Sequence, residues 1–406
     1  MAGIEDYKSI IGPAAVDDLV HLAGHLRGVS IQNINSTAVG GGVAEILNRT
    51  LPLLRQLGVD ARWDVIKGDE HFFVVTKKMH NALHGVPVEI TQDELDLFLE
   101  VNRQNAADLQ FADVVFVHDP QPIALVNKRP EQGKHWIWRC HIDFSQPGQR
   151  IWQFLEQYVR QYDVAVFSAP AFARPLPIRQ VMISPSIDPL SDKNRDLPER
   201  EVEAVFERFG IDRSRPVVTQ VSRFDFLKDP IGVIKAYRIA RRRVDCQLVL
   251  AGGGATDDPE GPALMHQVQE EAGKDKDIHV IFLPPSSDIE INALQRGSTV
   301  VLQKSLREGF GLTVAEALWK SRPVIASAVG GIPLQIAHKY SGILTHSIEG
   351  TAQWIKRLIN EPEYARTLGM NGREHIRNNF LITRHLKDYL LLFLSLFHSG
   401  DMTHLS

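Results

Sequence analysis

Cysteine is nearly absent: two residues, Cys140 and Cys246, stand far apart in apolar, strand-like runs. That usage excludes a disulfide framework or a cysteine zinc site and fits buried thiols in a reducing, cytoplasmic compartment. Long apolar runs are missing too. The greasiest segment, Tyr389-Leu-Leu-Leu-Phe-Leu-Ser-Leu-Phe397, is about half the length needed to span a bilayer. It reads as a core helix, and no membrane partner is expected. The N-terminus carries no apolar signal core. There is no basic stripe, and the net charge is −4, so neither nucleic acid nor an anionic lipid surface is suggested. No G-x-G-x-x-G pattern marks a dinucleotide site, and no D-x-D pair at a strand end marks a divalent metal.

What is present is the composition of a soluble globular chain, 44% hydrophobic and 23% charged. At 406 residues it is too long for one compact core, so two domains are expected. Buried strands are predicted at 29–34, 113–117, 135–143, 163–167 and 180–184, and again at 216–221, 246–251, 278–283, 299–303, 323–326 and 342–344. Helical patterns lie between them, and the last three helices are placed at 349–359, 362–376 and 383–397. The double-proline break Pro185-Ser-Ile-Asp-Pro189 reads as a hinge between two α/β series. Strand and helix alternate on both sides of it, which predicts two doubly wound, Rossmann-like domains facing each other.

The most informative stretch follows the 299–303 strand: Ser305-Leu-Arg-Glu308-Gly309-Phe310-Gly311-Leu312, then a helical run to Lys320. Glycines let the backbone approach a ligand, and the free N–H groups of a helix start attract an anion. Glu308 stands just before the turn and Glu316 lies eight residues on, within the helix. A group carrying both phosphate and hydroxyls fits between them, although two solvated glutamates around a capped loop give the same pattern. Gly40, Gly41 and Gly42 open a second strand-turn-helix start, which a flexible turn also explains. The 216–221 strand delivers Arg223 and Lys228, two cations at a strand end where phosphate sites sit, against the ordinary reading of surface charge. Asp257-Asp258 reads as a solvated loop. His118-Asp119 ends one strand, and Arg139, His141 and Asp143 end the next. These are read as sugar or acceptor contacts, with structural histidines as the alternative, since the spacing matches no zinc pattern.

With these motifs in hand the sequence resembles the retaining nucleotide-sugar glycosyltransferases of the GT-B fold, family 4. The run Arg307-Glu-Gly-Phe-Gly-Leu-Thr-Val-Ala-Glu-Ala-Leu-Trp-Lys320 carries the broad resemblance. Narrower likeness to trehalose synthases comes from Val117-His-Asp-Pro-Gln-Pro122, Trp138-Arg-Cys-His-Ile-Asp143, Pro185-Ser-Ile-Asp-Pro-Leu-Ser191 and Thr219-Gln-Val-Ser-Arg-Phe-Asp225. The resemblance implies a GT-B fold with two domains facing across a cleft. An acceptor-side domain, 1–189, would be completed by the returning C-terminal helix 383–406, and a donor-binding domain would span 190–382.

The resemblance further implies glucose transfer from a nucleoside-diphosphate glucose (ADP-, UDP- or GDP-glucose) to free glucose, with no cofactor required. Glu316 would hold the ribose hydroxyls, and Glu308 the donor sugar, with Gly309, Phe310, Gly311 and Leu312 beside it. Arg223 and Lys228 would neutralise the leaving diphosphate. Gly41 and Gly42 would approach the donor from the first domain, and His141 would sit over the reacting sugar. His118, Asp119, Arg139 and Asp143 would face the acceptor. Small sugars are the expected partners, and a homodimer is left open as the assembly. A trehalose phosphorylase, a nucleotide-sugar epimerase and a non-enzymatic sugar-binding protein are the competing readings.

Overall fold

The computed structural model describes residues 2–39, 41–129, 134–253, 261–284 and 286–398. Gly40, the Asp257-Asp258 pair and residues 399–406 lie outside the described residues. The chain divides into two compact units, Met1–Pro185 together with Ile382–Ser406, and Ser186–Leu381.

In the first unit the strands are β1 (Ser30–Asn35), β2 (Asp60–Val65), β3 (Val114–His118), β4 (His135–Cys140), β5 (Val164–Phe167) and β6 (Arg179–Met182). They form one sheet of parallel neighbours in the order β2-β1-β3-β4-β5-β6. Every residue of β3 and β5 is buried, as expected where helices cover both faces of a parallel sheet. The edge strand β2, Asp-Ala-Arg-Trp-Asp-Val, is not among the predicted strands. It is mostly solvent-facing, so it lacks the apolar run that marks its inner neighbours. The helices Glu70–Leu83 and Gln149–Val159 are likewise additions to the predicted elements. The C-terminal helix Ile382–Phe397 packs on Pro13–Gly24 and Gly41–Gln56. Its Tyr389 and Phe393 rings stand edge-on to Phe116 of β3, at 5.2 and 5.8 Å. That packing explains an apolar segment too short for a membrane.

In the second unit the strands are β7 (Val217–Val221), β8 (Gln247–Gly252), β9 (Ile278–Phe282), β10 (Val300–Gln303), β11 (Val324–Ser327) and β12 (Ile343–Thr345). Their order is β12-β11-β10-β7-β8-β9, again parallel throughout. Successive residues of β7 feed opposite faces. Val218 joins Ile234, Tyr237, Ile355 and Leu368 on one side, while Val217 joins Phe206 and Leu294 on the other. Helices therefore cover both faces.

Each sheet contains one point where strand order reverses, between β1 and β3 in the first unit and between β7 and β10 in the second. Connections leave such a point toward opposite faces and open a crevice beyond the strands' carboxyl ends. Close approach is also built in there: a Cβ on Gly252, at the end of β8, would lie 1.8 Å from the Ser222 carbonyl oxygen that follows β7.

Candidate active site

In the second unit, the segments leaving β7 and β10 flank the reversal. After β7 the chain makes a short turn, Phe226–Lys228, pinned by Asp225, whose carboxylate accepts from the Leu227 N–H at 2.7 Å. Asp229 then adopts a left-handed conformation, φ 47°, and caps the helix Pro230–Arg241 by accepting from the Gly232 N–H at 3.0 Å. The two Asp anchors hold Lys228 in place between them. Its Nζ lies 2.6 Å from Glu308 Oε2, and that oxygen also accepts from Ser305 Oγ at 3.0 Å and Gln303 Nε2 at 3.3 Å. Gln220 at the end of β7 ties the two segments together, donating to the Lys228 carbonyl and accepting from the Lys304 N–H, both at 2.9 Å. Lys304 pairs in turn with Asp229.

The glycine turn follows. Gly311 sits in the left-handed region, φ 82°, immediately before the helix Leu312–Trp319. A side chain there would be strained, so glycine is what lets the turn feed the helix at this angle. Phe310 is buried against Phe380, ring centroids 5.5 Å apart, and its carbonyl accepts from Gln335 Nε2 at 2.5 Å. Glu316, one turn into the helix, is buried, with Gln295 Nε2 at 3.4 Å and Lys193 Nζ at 3.9 Å from its oxygens. Arg223 is the exposed member of the set, 42% accessible and 3.7 Å from Asp225. Lys228, Glu308 and the glycine turn thus meet at one strand-end corner, with Arg223 on the same β7 loop and Glu316 on the helix that the turn starts.

In the first unit the corresponding corner is built differently. Asp119, just past β3, is left-handed at φ 65°. Its N–H donates to the Arg139 carbonyl and its carboxylate accepts from the His141 N–H, each at 2.7 Å. Burial pushes its carboxyl up to about 7, against the lowering effects of that bond and of Arg139. His118 is buried, with Nε2 3.0 Å from Asn33 Oδ1 and Nδ1 3.1 Å from His141 Nε2. Burial, reinforced by the Arg139 charge, holds both imidazoles well below the usual histidine range, so both are neutral at neutral pH. Arg139 has no accessible surface. It donates to the Ile183 carbonyl at 2.9 Å, lies over the Tyr389 ring at 5.4 Å, and points its Nε at the His141 ring. Asp143 is buried, its Oδ1 accepting from Ser145 N–H and Oγ at 3.0 and 2.6 Å. Gly41 and Gly42 are the first residues of the helix Gly41–Gln56, where the sequence placed them in the turn before it.

Several members of these corners were not singled out from sequence. Gln303, Ser305 and Lys193 are ordinary polar residues until the fold brings them to Glu308 and Glu316. Asn33 is one of three amides in β1, with Gln32 and Asn35, and nothing local sets it apart from them. Among the described residues, no group of three or more His, Cys, Asp or Glu side chains is arranged to hold a metal ion. No helix among them is long and apolar enough to cross a membrane.

Comparison with known proteins gives the family. Residues 33–174 match the family of trehalose synthase N-terminal domains, and residues 201–375 match the group 1 glycosyl transferases. A trehalose synthase from Pyrococcus horikoshii is 44% identical over 394 residues, covering 95% of both chains. A trehalose phosphorylase from Pleurotus pulmonarius is 31% identical over 84% of this chain and 54% of its own length. Among solved structures, a UDP-forming α,α-trehalose-phosphate synthase from Burkholderia xenovorans, in complex with glucose 6-phosphate, superposes with a TM-score of 0.72 at 14% identity. It covers 90% of this chain and 100% of its own.

Proposed function

This chain belongs to the trehalose synthase family and is a GT-B glycosyltransferase, and on that premise we propose that it transfers glucose from a nucleoside-diphosphate glucose to free glucose, forming trehalose with retention. The observation that carries the reading is the corner where Lys228 Nζ meets Glu308 at 2.6 Å beside the left-handed Gly311 and a helix start. Breaking the sugar–phosphate bond leaves the electron pair on the diphosphate and develops positive charge at the anomeric carbon. A fixed ammonium and helix-start N–H groups stabilise that diphosphate without reorganising. Arg223, exposed on the same loop, adds a second cation able to give two parallel N–H bonds.

In this reading Glu308 serves two partners at once. It holds Lys228 through Oε2 and accepts from the donor sugar's hydroxyls through its other oxygen. Glu316 receives the ribose hydroxyls, with Lys193 and Gln295 holding its carboxylate in place. The residues 1–189, completed by the C-terminal helix, form the acceptor-side domain, and 190–382 form the donor-binding one. His141 serves the reacting sugar, and Asp119 and Asp143 the acceptor.

The test is product identification. The protein is incubated with ADP-, UDP- and GDP-glucose, each with and without free glucose. Trehalose and free nucleoside diphosphate in equal amounts, released only when glucose is present, are expected from at least one donor. Nucleotide release that ignores glucose overturns the reading. The similarity to a trehalose phosphorylase supports a second reading, in which phosphate cleaves trehalose. Phosphate-dependent loss of trehalose without added nucleotide would select it instead.

A further inference from the structure

We infer that Asn33 and His118 are positioning residues for His141, fixing its ring plane and its tautomer through a buried chain of hydrogen bonds. The inference rests on the proposal that His141 serves the reacting sugar, and it assigns to His118 a role other than direct sugar contact.

The argument follows the protons. Asn33 Oδ1 faces His118 Nε2 at 3.0 Å and can only accept, so His118 carries its proton on Nε2. His118 Nδ1 is then an acceptor, and the His141 Nε2 that faces it at 3.1 Å must be the donor. Arg139 Nε, which can only donate, stands 3.2 Å from His141 Nε2 and 3.4 Å from Nδ1, and with Nε2 donating to His118 the acceptor left to it is Nδ1. Every ring nitrogen in the chain then has a partner of the right kind. The two rings are nearly parallel, 22° apart, with centroids 5.4 Å apart. His118 is 1% accessible, so neither solvent nor a diffusing sugar reaches the middle of the chain.

The charged and titratable groups around the pair come from several elements. Arg139 lies on β4, Asp119 just beyond β3, and Arg384, His385, Asp388 and Tyr389 on the helix Ile382–Phe397. Arg139 opposes protonation of His118, His141 and His385 alike. The purpose is chemical. Transfer develops positive charge on the sugar's anomeric carbon, and an imidazolium beside it would oppose that charge. A neutral ring, its two nitrogens held by His118 and Arg139, does not.

Asn33→Asp is the informative substitution, because the buried Asn33 Nδ2 has no hydrogen-bond partner and the change therefore removes no bond. The new carboxylate favours imidazolium at His118. Once protonated on both nitrogens, His118 becomes a donor to His141 and reverses its tautomer. In the transfer assay, kcat of Asn33→Asp should fall about tenfold per pH unit toward acid pH, return toward wild type at alkaline pH, and leave the KM for glucose little changed. Wild-type kcat should lack this added limb and show only the titration of Asp119 at about 7. A profile parallel to wild type, or lowered by one factor at every pH, overturns the inference, because lost packing would do no more than that.

A second measurement does not depend on turnover. Ring-nitrogen NMR of the wild-type protein should find His141 protonated on Nε2 and neutral, and the opposite tautomer overturns the inference. His141→Ala isolates the underlying proposal: wild-type turnover in that variant removes His141 from the reaction while leaving the NMR result intact. His118→Asn, which keeps an acceptor near the Nδ1 position, should retain more kcat than His118→Leu at equal melting temperature. Equal losses in the two count against the chain.

Discussion

The two strand-end corners occupy the same place in two similar sheets and are electrostatically opposite. In the second unit, cations and carboxylates meet face to face, Lys228 on Glu308 and Lys304 on Asp229, near an exposed arginine and a glycine turn. In the first unit Arg139 is fully buried over an aromatic ring, and the histidines beside it are kept uncharged. Under the proposed function the difference matches two kinds of ligand. A diphosphate must be met by charge that is present before it arrives. A sugar carries no charge, needs directional hydrogen bonds, and is disturbed by a nearby cation as the glycosidic bond breaks. One topology supports both because ligand chemistry resides in the segments after the strands, not in the sheet.

The largest effect that tests this contrast is on the charged corner. Lys228→Ala should lower turnover about 10²–10³-fold, the usual cost of removing one donor aimed at developing charge. Near wild-type turnover in that variant would abolish the contrast, since the ion pair would then be merely structural. Glu316→Gln sharpens it by separating binding from chemistry. The variant should weaken nucleotide binding by about 1.5–3 kcal/mol, as for a hydrogen bond to a charged group, and calorimetry with the free nucleoside diphosphate reads it directly. Unchanged affinity would take Glu316 away from the ribose.

The smallest predicted effect lies in the uncharged corner. Asp119 titrates at about 7 in the folded protein, above its ordinary value, so between roughly pH 4 and that point the folded state binds more protons than the unfolded one. Stability should therefore fall as pH rises through this window. Asp119→Asn, which keeps an oxygen for the His141 N–H, should flatten that part of the melting-temperature profile. A profile identical to wild type would mean that the buried carboxyl titrates normally.

Much of this architecture was legible in the chain. Inner strands such as Val114–His118 and Val217–Val221 announce themselves as apolar runs because parallel sheets are covered on both faces. Edge strand β2 did not, because its exposed side is free to carry Asp60, Arg62 and Asp64. Glu308, Gly311 and Glu316 were readable because one continuous stretch encodes a strand end, a turn and a helix start. Lys193 was not, since nothing local distinguishes it from any surface lysine until the fold sets it 3.9 Å from Glu316.

The sequence alone determined which residue types stand at the carboxyl ends of which strands, because hydrophobic periodicity and glycine positions are local properties. Only the tertiary structure decided their chemical states. Lys228 meets Glu308 across a separation of 80 residues, and His118 meets Asn33 across 85. Burial, ionisation and tautomer depend on what a side chain touches, and those neighbours come from distant parts of the chain.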